Sequence, residues 1–158
     1  METTRPAHET DRDVCVTLLT HALDDARAGR GGVTLTGDAT PDALWARWCT
    51  TGSGTPAPAT VLYVGQFERA VVGLGAATAV TRAGTGELSG RVECCYVEAA
   101  ARGVGVGSAL MASLVARCTG QGCHDIDALA LPGDRLSKQR LEAAGFTARL
   151  LVLNRPLS

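Results

Sequence analysis

Residues 102–108 read Arg102-Gly103-Val104-Gly105-Val106-Gly107-Ser108, and this stretch decides how the chain is read. It joins an alternating segment, Leu88 to Val97, to a segment with a wide apolar stripe, Gly105 to Thr119. The first has the period of a strand and the second the period of a helix. Glycines at such a junction let the backbone take angles that other residues resist, and let a ligand approach closely. The first amides of a helix lack partners within it and carry the positive end of its dipole. The turn therefore suits an anion, pyrophosphate above all. Two familiar phosphate motifs do not fit. A dinucleotide fingerprint needs Gly-x-Gly-x-x-Gly, but counted from Gly103 the sixth residue is Ser108, and from Gly105 it is Leu110. A nucleotide phosphate loop needs Gly-Lys-Ser/Thr, and the only lysine, Lys138, is far away.

Outward from the turn, Val106, Leu110, Met111, Leu114, Val115 and Cys118 form the helical stripe. In the preceding strand, Leu88, Val92, Cys94 and Tyr96 fall on one face, and Ser89, Arg91, Glu93 and Cys95 on the other. Earlier, Thr60 to Phe67 and Ala70 to Thr81 are rich in β-branched residues and flank the polar pair Glu68-Arg69, which predicts a hairpin. The chain opens with a short strand, Thr3 to Ala7, and a helix, Asp11 to Ala28, whose Val14, Leu18, Leu19, Ala22, Leu23 and Ala26 recur at helical spacing. Gly29 to Asp38 reads as a loop. A second helix follows, with Thr40 as N-cap and Pro41 at its first position, ending near Thr51-Gly52 before a turn-rich link over 52–58. Downstream, Asp125 to Leu131 reads as a strand, Asp134 caps a helix that ends at Gly145, and Thr147 to Leu153 reads as a last strand. The order is mixed α+β, with a second half able to place strands in parallel.

At 158 residues the chain is one domain, 1–158. Its 46% hydrophobic and 20% charged residues are an ordinary globular balance, with no apolar run long enough to span a bilayer. A net charge of −1 argues against a nucleic-acid partner, which would call for a basic face. The first residues show no secretory signal, so a cytoplasmic location with free buried thiols is the expectation for the six cysteines. Cys118, Cys123 and His124 lie close in sequence, but a second ligand pair is missing and no metal site is expected. Cys94 and Cys95 are neighbours on a strand, so they should face opposite ways.

The turn fits Arg/Gln-x-x-Gly-x-Gly/Ala through Arg102, Gly105 and Gly107. With the strand ending at Tyr96-Val97 and the later Ala144-Gly145-Phe146, the chain resembles the GNAT superfamily of acetyl-CoA-dependent N-acyltransferases over nearly its whole length. The resemblance implies a central, mostly antiparallel sheet with helices on both faces, in which the fourth strand splays from its parallel neighbour. It implies acetyl-CoA (coenzyme A) as donor, with pantetheine lying along the backbone of Cys95 and Val97 and pyrophosphate on the turn formed by Arg102, Gly103, Val104, Gly105, Gly107 and Ser108. A small-molecule or peptide amine would attack the thioester directly, with no covalent enzyme intermediate.

Direct attack needs a neutral amine, and Glu93 is the candidate base, nine residues before Arg102. The same polar face also reads as a solvated or mutually paired Arg91 and Glu93. Many members of the superfamily carry a tyrosine four residues before the Gly-Phe glycine, able to protonate the leaving thiolate; here that residue is Leu141. This leaves a second reading open, an acyl-CoA-binding module with little turnover. His21 and Trp45 lie on helices that border the acceptor site in the superfamily, and both read first as packing residues. About a dozen residues follow Gly145, which leaves the C-terminal edge either short or completed by a partner subunit, in the simplest case a homodimer.

Overall fold

The computed structural model describes residues 1–49 and 60–157; the predicted helix end near Thr51-Gly52 and the link over 52–58 lie outside them. Five strands form one sheet in the order β1 (Glu2–Pro6), β2 (Thr60–Phe67), β3 (Ala70–Thr81), β4 (Leu88–Val97) and β5 (Asp125–Asp127). Neighbours pair antiparallel except β4 and β5, which run parallel. Helices cover both faces. On one side α1 (Arg12–Ala28) and α3 (Pro41–Trp48) enclose a core of Leu18, Leu19, Trp45, Trp48, Leu62, Val64 and Leu74, with the short α2 (Gly32–Thr36) set against α1. On the other, α4 (Val106–Gly120) buries Val106, Leu110 and Leu114 against Ala77 and Val97. A fifth helix, α5 (Arg135–Ala143), has no fully buried residue.

Local chemistry explains most of these boundaries. Thr40 caps α3 by accepting from the Ala43 amide at 3.3 Å, with Pro41 at the first position. Asp134 accepts from the Ser137 amide at 3.0 Å to start α5, and Gly145, in the left-handed region, follows its end. The hairpin turn at Glu68-Arg69 carries positive φ at both residues (49° and 74°), the type I′ geometry that suits strand twist, here without glycine. The glycines of the sheet let α4 sit low. A Cβ at Gly65 would lie 2.6 Å from Cγ1 of Val106, and one at Gly75 would lie 3.2 Å from Cδ1 of Leu114.

Four expectations are corrected. Gly29 to Asp38 is not all loop, since it holds α2. The strand expected over Asp125 to Leu131 stops at Asp127, because β4 diverges and the ladder ends at Arg91↔Asp127. No strand forms over Thr147 to Leu153; Leu150 to Leu153 are 77–85% exposed, and Arg149 holds the segment beside β5 through Asp127 (2.7 Å) and Asp125 (3.3 Å). The simple alternation along β4 also fails. Ala76 pairs with Cys94 but Ala77 pairs with Val92, so Glu93 is an extra residue in a β-bulge. Val92 therefore packs with Leu114 and Cys118 under α4, while Cys94 and Tyr96 pack on the opposite face with the α1 and α3 core.

Candidate active site

The splay and the bulge together make the site. Past Arg91, β4 has β3 on one side and, among the described residues, no ladder partner on the other. Backbone groups of alternate residues face this open edge, and two arginines reach their carbonyls. Arg140 Nη1 lies 3.4 Å from the Cys95 oxygen, and Arg102 Nε donates to the Val97 oxygen at 3.0 Å. The edge is thus a strand-shaped slot whose polar groups are met by side chains.

At one end of the slot lies the glycine turn. Gly103 (φ 89°) and Gly105 (φ 92°) both take left-handed backbone angles, and a Cβ at Gly103 would meet nothing within 4 Å. The first helical bond of α4 runs from the Ala109 amide to the Gly105 oxygen at 3.0 Å, so the amides of Val106, Gly107 and Ser108 precede the ladder. Val104 is partly exposed and Val106 is fully buried, which anchors the turn. Arg102 does not reach over the turn. Its Nη2 pairs with Asp25 of α1 at 2.9 Å and its guanidinium lies 5.6 Å from the Tyr96 ring centre, so it braces the end of β4 onto α1. Glu2 of β1 also stands close, 3.4 Å from the place a Gly105 Cβ would take.

At the other end a cavity of about 420 Å³ opens between α1, α2, α3, β4 and α5. Glu93 reaches it from the bulge, its side chain only 14% exposed. Arg91 donates to Glu93 Oε1 from both Nη2 (2.7 Å) and Nε (3.1 Å), and Arg47 Nη2 stands 3.9 Å from the same oxygen. The paired polar face anticipated for Arg91 and Glu93 is present, and it lies in the cavity wall. Leu141 and Arg140 also line the cavity, as do Leu19, Leu23, Leu44 and Trp48.

Cys94 and Cys95 face opposite sides of the sheet, as adjacent strand residues must. Burial pushes the Cys94 thiol up to about 12, and raises Cys95 as well, with Arg140 pulling it partly back. Both stay protonated at neutral pH, which leaves neither suited to act as a nucleophile. Trp45 is buried in the core and it is Trp48, one turn on, that faces the cavity. His21 pairs with Glu98 at 2.9 Å outside the cavity lining. Arg47 was not singled out by the sequence. Its one signal is its place on α3 beside Trp48, between two buried tryptophans.

A mixed sheet with a parted parallel pair, a glycine turn at one end of the gap and a carboxylate-bearing cavity at the other leaves a long slot between an anion-suited turn and a polar pocket. A sequence model of the acetyltransferase (GNAT) family matches residues 36–146, and the chain belongs to that family. It is an N-acetyltransferase by family. Among solved structures it is similar to the aminoglycoside N-acetyltransferase AAC(6')-Iy in complex with CoA, at 15% identity and a TM-score of 0.76, covering 100% of this chain and 96% of that one. It is similar to glucosamine-6-phosphate N-acetyltransferase from Arabidopsis thaliana at 16% identity and a TM-score of 0.67, covering 100% and 99%. It is also similar to a transcriptional regulator from Bacillus halodurans C-125 at 22% identity and a TM-score of 0.71, covering 99% and 100%. At these identities the likeness concerns the fold. No curated protein matches the chain. Among the described residues no helix is long and apolar enough to cross a membrane.

Proposed function

We propose that the protein transfers an acetyl group from acetyl-CoA to a small-molecule amine held in the cavity of Glu93. The observation that carries this reading is the order along one edge: the left-handed glycine turn, the stretch of β4 past its ladder with β5, and the Glu93 carboxylate in the cavity wall follow one another. Acetyl-CoA supplies an activated thioester. The chain's own residues supply the rest. The amides of Gly103, Val104, Gly105, Gly107 and Ser108, with the dipole of α4, suit the pyrophosphate. Cys95 and Val97 present backbone groups to the pantetheine arm, and Arg140 must yield the Cys95 oxygen for that contact to form. Arg102 serves the donor site by holding the turn against α1 rather than by touching a phosphate.

Glu93 takes the proton of the acceptor ammonium, directly or through water, so that a neutral nitrogen attacks the thioester carbon. The new bond is C–N, the broken bond is C–S, and the thiolate leaves. Leu141 faces the cavity and has no proton to give. Arg140, its neighbour in chain and wall, is the cation best placed to steady a thiolate there. The alternative, a binding module with little turnover, draws on that same leucine. Thiol release from acetyl-CoA over a panel of amines decides between them. Turnover above the hydrolytic background supports transfer, and coenzyme binding without turnover on any amine supports the module.

A further inference from the structure

We infer that the acceptor is a compact amino acid with an apolar side chain, an amine that carries its own carboxylate, rather than a polycation. The inference rests on the acyl-transfer reading above and names the acceptor class for the same cavity.

The charge balance of the wall is the first ground. Among the described residues two guanidinium groups, Arg47 and Arg91, stand beside the one carboxylate of the cavity wall, Glu93, while Arg140 of the same wall turns its guanidinium to Gly107 and the Cys95 oxygen at the donor end. The two thiols in the wall, Cys94 and Cys95, are held neutral by burial. The acceptor end is therefore cationic by one charge. A substrate bearing several ammonium groups meets net repulsion there. A substrate bearing one anion gains from it.

The second ground is where the donors stand. Arg91 commits both of its bonded nitrogens to Glu93 Oε1. Arg47 does not. At 3.9 Å from the same oxygen it is beyond hydrogen-bonding distance, and among the described residues it makes no hydrogen bond. Its side chain is 58% exposed, at the mouth of the cavity. A planar fork of donors of this kind matches a carboxylate in bidentate fashion. The spacing then fixes the acceptor's shape. An amine delivered to Glu93 and an anion held by Arg47 are separated by a few ångströms, so both belong to one compact molecule. An α- or β-amino acid has that compactness.

The third ground is the remaining wall. Leu19, Leu23, Leu35 and Leu44 give it an apolar floor that suits a hydrocarbon side chain.

The test compares leucine with leucinamide, which share size and amine and differ in the carboxylate. Binding to the full chain saturated with coenzyme A is measured by calorimetry, and it needs no turnover. Leucine binding at least about tenfold tighter than leucinamide supports the inference. Equal or weaker binding of leucine, or no binding of either, overturns it. Arg47→Gln should bring the two affinities together, and an undiminished preference in that variant overturns the role of Arg47. Neamine, a polycationic amine, should bind more weakly than leucine, and tighter binding overturns the charge argument. Coenzyme affinity comes from the preceding titration, so failure of the donor site is seen separately.

Discussion

Replacing Gly65 with alanine should loosen both the fold and the donor turn. The added Cβ would lie 2.6 Å from Val106 Cγ1, and 3.0 Å and 3.1 Å from Leu110 Cδ1 and Cγ. Carbon atoms pack at about 3.5–4.0 Å, so the shortfall against Val106 is about 1 Å. Val106 and Leu110 are buried with no room to retreat, so the first turn of α4 must lift. Overpacking of this kind costs about 1–3 kcal/mol. For a chain of this size each kcal/mol lowers Tm by about 2–4 °C, giving a fall of about 2–12 °C by circular dichroism. The lifted turn carries the amides of Val106, Gly107 and Ser108, so coenzyme A affinity, read by calorimetry, should fall by about tenfold or more, the equivalent of one charge-assisted bond. Gly75→Ala is the control. Its Cβ would press on a side-chain methyl of Leu114, 3.2 Å away and two turns beyond the donor end. It should lower Tm less and leave coenzyme affinity within about twofold. An unchanged Tm in Gly65→Ala would refute the seating of α4 on these glycines. Full coenzyme affinity with a lowered Tm would refute the link between that seating and the donor turn.

Glu93→Gln should lower kcat by about 10²–10⁴ with coenzyme affinity kept, and full turnover from pH 6 to 9 would place the base elsewhere. Leu141→Tyr should raise kcat less than about tenfold, since the leaving thiol has a moderate pKa near 8.5; a larger rise would make the missing acid the limiting feature. Bonds from Ser89, then Arg82, hold the Asp125 carboxyl down at about 2 against an ordinary 3.8. Its contribution to stability is thus complete above about pH 4 and is lost as pH falls toward 2, so Asp125→Asn should melt lower than the native chain at pH 6 and show a flatter fall in Tm below pH 4. Glu68→Asn with Arg69→Gly should stabilise the hairpin by about 1 kcal/mol in urea unfolding, because those residues accept positive φ at less cost; no gain would mean the turn is not strained.

The glycine turn was legible because its chemistry is local. Gly103 and Gly105 adopt the left-handed angles their spacing suggested, and the flanking periods placed the turn between strand and helix. The caps at Thr40 and Asp134 and the stop at Gly145 were legible for the same reason. The bulge at Glu93 was not. It exists only in the register between β3 and β4, and a single strand's alternation carries no record of its partner. One misplaced residue sent Val92 to the wrong face, since side chains alternate with a period of two. The cavity's charge was hidden in the same way. Arg47 and Arg91 come from different elements, and nothing along the chain announces that they converge on Glu93. The last strand failed for want of a partner, because a three-residue β5 offers no ladder to Thr147–Leu153.

The free edge of β4 is also a clock. Amides in the β3–β4 ladder should exchange slowly with deuterated solvent, whereas those of Cys95 and Val97, turned toward the gap with their carbonyls, should exchange quickly in the unliganded protein. A donor lying along that edge would slow just these positions. Isotope uptake on one short peptide spanning 93–97 would therefore report donor occupancy directly. It requires no tag on the protein, no acceptor and no turnover, so compounds could be sorted into donor-like and acceptor-like before any reaction is seen.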